Sequence, residues 1–150
     1  MTRRLLLGYL TAAVMVLLVL EVPLAIFYQQ RETDRLTVDV ERDATVLAGY
    51  YEDALGQRTP PDPTSASNYA KRAGIRVVVV DKAGVSLIDT SGPAGRDFST
   101  RPEIKTALSG ARAEGQRHSD TLNTDLLYVA VPVASGGKVY GAVRLTLDTQ

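Results

Sequence analysis

Four side chains in the second half of the chain are candidates for holding a ligand: Arg101, Tyr128, Tyr140 and Arg144. Arg101 stands between Thr100 and the pair Pro102, Glu103, which reads as a helix start with Thr100 as N-cap and Glu103 at the capping-box position. A guanidinium beside the open amides of a helix start favours a carboxylate or a phosphate. The competing reading pairs Arg101 with Asp97 or Glu103. Tyr128, Tyr140 and Arg144 fall in strand-like stretches, where each could equally be a core aromatic or a satisfied surface charge. No nucleophile, base and oxyanion set can be assembled, because His118 is the single histidine and no GxSxG elbow occurs.

Composition excludes more. With no cysteine, disulfides, iron–sulfur clusters and cysteine-ligated zinc are ruled out, and one histidine rules out a His-rich metal site. Asp39, Glu41 and Asp43 read as a solvated helix face and not as a calcium loop. Seventeen basic residues balance seventeen acidic ones, and no Lys/Arg stripe follows residue 4, so a nucleic-acid partner is not expected.

These residues need elements to position them. Ile75 to Asp81 is β-branched and apolar at both parities, the pattern of a central strand covered on both faces. Asp81 to Gly84 is a tight turn, and Val85 to Asp89 returns as its hairpin partner. Ser91 to Asp97 is a loop. Ile104, Ala107 and Leu108 give the helix after Arg101 its buried face, and Gly110 ends it. Ala113 to Asp120 reads as a polar edge strand. Leu126 to Val133 and Val139 to Leu147 follow as strands joined by the Gly136-Gly137 loop. The expected class is α+β: a five-stranded antiparallel sheet with short helices on one side.

Ahead of the sheet, Leu36, Val40, Ala44, Leu47, Tyr51 and Leu55 step by three or four residues, the spacing of one helical face. Two partners could bury that stripe. One is the domain that follows; the other is the same helix in a second copy, with Leu36, Val40, Leu47 and Tyr51 as the dimer seam. Gly56 to Pro63 ends this helix, and a short helix capped by Ser65 or Ser67 and stopped by Gly74 is expected next.

The first stretch is of another kind. Leu5 to Tyr28 is apolar except for Glu21, and at ~1.5 Å per residue it forms a helix of about 36 Å, enough to cross a hydrocarbon core. Arg3 and Arg4 precede it without an acid beside them, which places the N-terminus in the cytoplasm and the remainder outside, with Glu21 and Tyr28 near the far interface. A cleaved signal peptide is the competing reading. The length of the apolar run and the absence of a small-x-small site after it favour an uncleaved anchor. The expected division is a cytoplasmic end at 1–4, a transmembrane helix at 5–28, a stalk helix at 29–57, a linker with a short helix at 58–74 and the sheet domain at 75–150.

The hairpin VVVVDKAGVSLIDTS, the helix RPEIKTALSG, and then SDTLNTDLLYVAVPVASGGKVYGAVRLTL after a membrane-exiting helix resemble the extracytoplasmic sensor region of bacterial two-component sensor histidine kinases, especially the phosphate-regulon and respiratory-regulator types. The resemblance is good over residues 75 to 147 and architectural before that. It implies a PAS-like fold of the Cache type. It also implies a ligand space between one sheet face and the RPEI helix, where Arg101, Tyr128, Tyr140 and Arg144 are the candidates. Implied partners are the plasma membrane, a second copy joined through the stalk, a small anionic ligand or an extracytoplasmic protein, and a response regulator for the parent kinase. ATP and magnesium belong only to a kinase core, and these 150 residues carry no catalytic domain of that kind. His118 does not suit a phospho-acceptor, which would sit on a cytoplasmic dimerisation helix; it is expected as a solvated edge-strand residue. Other outputs open to the same architecture are a chemoreceptor or a diguanylate cyclase, and an anchored adaptor without ligand is the third reading.

Overall fold

The computed structural model describes the backbone of residues 2–119 and 124–149; side chains of 1–7, 9, 11, 12, 18, 22–37, 117–125 and 148–150 lie outside the description. The chain divides into two units, Met1–Leu36 and Thr37–Gln150. The first unit is helical throughout its described backbone, as part of α1 (Thr2–Gln57). Among the described residues no helix is long and apolar enough to cross a membrane. The side chains of Arg3, Arg4, Tyr28 and Leu36, and most of 5–28, lie outside those residues; Glu21 is described and exposed.

In the second unit the stripe on α1 is buried. Val40, Ala44, Leu47, Ala48, Tyr51 and Leu55 are each no more than 7% exposed and pack on the sheet residues Val77, Val79, Val129, Val131, Val143 and Leu145. Burial of a valine- or leucine-sized side chain contributes roughly 1.5–3 kcal/mol, so this stripe is a main support of the domain. Val40, Leu47 and Tyr51 therefore belong to the domain's own core and not to a dimer seam. The outward side of the same helix carries Val38, Val46 and Tyr50.

α2 (Thr64–Ala73) lies on the same face through Ala66 and Tyr69. Its start differs from the expected serine cap. Asp62 Oδ1 accepts from the amide of Thr64 at 2.9 Å and from its hydroxyl at 2.7 Å, so the helix begins one residue before Ser65. Gly74, in the left-handed conformation, closes it as expected. The Tyr51 hydroxyl ties the two helices together, accepting from Ala66 N and donating to Asp62 O, both at 3.1 Å.

The sheet consists of β1 (Arg76–Asp81), β2 (Ser86–Asp89), β3 (Ala113–Ser119), β4 (Thr124–Ser135) and β5 (Lys138–Thr149), in the order β2-β1-β5-β4-β3, with every pairing antiparallel. The polar segment after Ala113 is the edge strand, as its composition implies. The four valines of β1 are completely buried because their two parities feed two cores: Val77 and Val79 face α1 and α2, whereas Val78 and Val80 face Phe98 and α3 (Pro102–Leu108). Helices thus cover both faces of the sheet, not one. The expectation of a single covered side fails because β4 and β5 also carry small apolar residues, Ala130 and Ala142, on the second face, and these need a cover of their own.

Candidate functional site

The face beneath α3 is apolar at one end, where Ile104 and Ala107 meet Val78, Val80, Ala130 and Ala142. Its polar end is built by the alternation of β5, which puts Ala142, Arg144 and Thr146 on the same side. Arg144 stands opposite Val78 of β1 and Ala130 of β4, in the middle of the sheet, and is 4% exposed. The small side chain of Ala130 leaves room for the guanidinium.

α3 supplies the counter-charge. Glu103 is 5% exposed, and its Oε1 lies 2.9 Å from Arg144 Nε. The contact is an ion pair in which the N–H is not aimed at the oxygen well enough to be a hydrogen bond. The Arg144 guanidinium carbon also sits 5.8 Å from the centre of the Tyr128 ring, close enough for a cation–π contribution. Tyr128 pairs with Thr146 across the strands and lies over Gly115 of β3, where a Cβ would come within 2.5 Å of the phenol oxygen. Glycine at 115 is therefore required for this ring position. The Thr146 hydroxyl is buried without a hydrogen-bond partner among the described residues. Thr146 lines a cavity of about 420 Å³ with Ile75, Arg76, Thr90 and Leu126.

The four candidates separate. Tyr128 and Arg144 are brought together. Arg101 is the half-buried N-cap of α3, with no side-chain capping bond there, and Pro102 occupies the first helical turn. Among the described residues Arg101 pairs with neither expected acid, since Asp97 Oδ1 accepts from Ser99 N at 2.7 Å and Glu103 goes to Arg144. Thr100 and Glu103 accordingly form no capping box. Tyr140 is on the other face. The register between β4 and β5 shifts after Val133, which pairs with Gly141 while Ala134 pairs with Val139, leaving Tyr140 as the bulged residue. Its ring packs against Gly56 of α1.

Glu103 is the site residue that sequence reasoning gave a different role. The signal available was its position two residues after Arg101, beside the apolar pair Ile104 and Ala107, which a buried carboxylate can share only if a cation meets it. His118 lies on β3 opposite Asp125, with its side chain outside the described residues. Among the described residues no group of three or more His, Cys, Asp or Glu could hold a metal ion.

The electrostatics elsewhere in the domain are structural. Burial raises the Asp89 carboxyl, but hydrogen bonds from Arg76 and from the Ser91 amide, with the charges of Arg76 and Arg96, outweigh it and hold the group below its ordinary value. Arg76 grips this carboxylate with Nε at 2.9 Å and Nη2 at 2.6 Å, a two-pronged contact that fixes β1 to β2. Burial and a hydrogen bond to Asp43 Oδ2 at 2.8 Å push the Tyr69 phenol well above its usual range.

No family model and no curated protein matches the chain. Solved structures do share its fold. The sensor domain of the V. cholerae histidine kinase DctB superposes with a TM-score of 0.62 at 15% identity, over 79% of this chain and 52% of that one. The E. coli DcuS sensor domain superposes with a TM-score of 0.62 at 22% identity, over 76% of this chain and 89% of that one. The chain thus spans about half of the DctB domain and most of the DcuS domain. At these identities the likeness is one of fold: an α+β domain with a five-stranded antiparallel sheet, as in those two sensor domains.

Proposed function

We propose that the chain is the extracytoplasmic sensing region of a membrane-anchored receptor, with a two-component sensor histidine kinase of the phosphate-regulon or respiratory-regulator type as its parent. The observation that carries the reading is the buried Glu103–Arg144 pair under α3, set in a fold shared with sensor domains. A buried ion pair is a poor source of stability, because desolvation offsets most of its attraction. It is well suited to a switch. A small anionic ligand, or an acidic group of an extracytoplasmic protein, that competes with Glu103 for the guanidinium releases α3 from the sheet. α1 covers the opposite face of the same strands, so two arrangements of α3 become two populations of α1.

The membrane span at 5–28 belongs to this proposal. Its support is the apolar run itself, together with the exposure of Val14, Met15, Val16 and Leu17, four successive residues that point in four directions around the helix. Association of two copies along α1 is a further part, and the exposed stripe of Val38, Val46 and Tyr50 is the surface that remains for it.

The test joins residues 1–150 to the membrane linker and core of a reporter histidine kinase and reads transcription. Arg144→Ala and Glu103→Gln are expected to lock the output high or low when it is read per molecule of receptor in the membrane. Output identical to the parent in both variants makes the chain a passive anchor and overturns the reading.

A further inference from the structure

A cleft of about 720 Å³ opens on the other side of the domain, where the end of α1 meets the β1–β2 and β4–β5 turns. Its volume is in the range of small-molecule sites. The floor is apolar, formed by Leu55, Leu87 and the ring of Tyr140, which the β5 bulge delivers to this face. The rim carries three cations, Arg58, Lys82 and Lys138, against one carboxylate, Asp81. Asp81 is already engaged, its Oδ1 accepting from the amides of Ala83 and Val85 at 2.9 Å each. Among the described residues no acid pairs with any of the three cations. Lys138 Nζ lies 5.4 Å from the Tyr140 ring centre, so its charge is held over the apolar floor.

Arg58 provides the independent observation. It is the sole non-glycine residue with positive φ among those described, at +58°. It closes α1: its amide donates to Leu55 O at 3.3 Å, and that of Thr59 donates to Ala54 O at 2.9 Å. This position in such a closure favours glycine, because a Cβ crowds the backbone there. An arginine thus stands where the backbone prefers glycine, and that residue lines the cleft.

We propose that this cleft binds a small organic anion with an apolar body, an aromatic or branched aliphatic carboxylate. Arg58, Lys82 and Lys138 hold the carboxylate, and Tyr140 and Leu87 take the apolar part. The site shares no lining residue with the Glu103–Arg144 face, so either can fail without the other.

The test uses the full 150-residue chain in lipid nanodiscs, with 3-phenylpropionate as the probe and backbone amide chemical shifts as the readout. The expected result is a saturable shift confined to Gly56, Lys82, Ala83 and Tyr140. Affinity is expected to fall about tenfold or more for the neutral 3-phenylpropanamide, and similarly in Arg58→Gly and Lys82→Gln, the loss that follows from removing a charge-assisted contact. Arg58→Gly is expected to raise the thermal midpoint at the same time, which separates lost binding from lost folding. No saturable shift, equal binding of acid and amide, unchanged affinity in both variants, or shifts centred on Tyr128 and Arg144 would each overturn the proposal.

Discussion

Glu103 of α3 and Arg144 of β5 meet at 2.9 Å with 5% of each side chain exposed, so the helix over the sheet is fastened by a charge pair that water scarcely reaches. Removing Arg144 leaves the Glu103 carboxylate buried without its counter-charge. Arg144→Ala is expected to lower the unfolding free energy by about 3–5 kcal/mol, whereas the double replacement Glu103→Leu, Arg144→Met restores most of that loss. Urea unfolding of the single and double variants checks this. Equal destabilisation in both would show that the pair matters only for packing.

Gly141 of β5 has no room for a side chain between β1 and Leu55 of α1. A Cβ there would stand 2.2 Å from Val80 O and 2.5 Å from Leu55 Cδ2. The backbone oxygen cannot yield, so Gly141→Ala is expected to destabilise the domain by roughly 3 kcal/mol or more, while Gly136→Ser in the open turn costs about 1 kcal/mol for its positive φ alone. Thermal unfolding of the two variants side by side reads the difference.

Acid should loosen the β1–β2 hairpin. The Asp89 carboxyl is held below its ordinary value of 3.8, so its contribution is complete above that pH and is lost as pH falls through the lower folded value. Wild type is expected to lose stability steeply below about pH 4, and Asp89→Asn to be weaker at neutral pH with a flatter acid limb. Asp62 and Asp97 are lowered too, by hydrogen bonds from Thr64 and Ser99, so the informative quantity is the difference between wild type and variant.

The cysteine-free chain invites crosslinking along α1. Val46→Cys and Tyr50→Cys are expected to form intermolecular disulfides in native membranes, and Leu47→Cys, whose position is 7% exposed, is expected to form none. Crosslinking at 47 and not at 46 would reverse the assignment of the two helix faces.

Part of this architecture is legible in the sequence alone. Val77 to Val80 are apolar at both parities and could only be a strand covered on two faces; Gly84 and Gly136-Gly137 mark turns that need positive φ, as all three have. The stripe on α1 was visible, but its partner was not, because periodicity shows which face is apolar and not what covers it. The same limit hid Glu103. Its place after Arg101 and Pro102 matches a capping box, and only the crossing of α3 over β5, a contact between residues 41 apart, reveals that it faces Arg144. Tyr140 failed for a local reason: a single bulged residue reverses the side predicted by strict alternation.

Placement outside the membrane underlies the whole account, and one measurement reads it directly. Ala94→Cys introduces a single thiol on an exposed loop of residues 37–150. The account predicts that a membrane-impermeant maleimide labels it in intact cells, and that Thr2→Cys is labelled only after permeabilisation. Labelling of Ala94→Cys that appears only once the membrane is opened would contradict it.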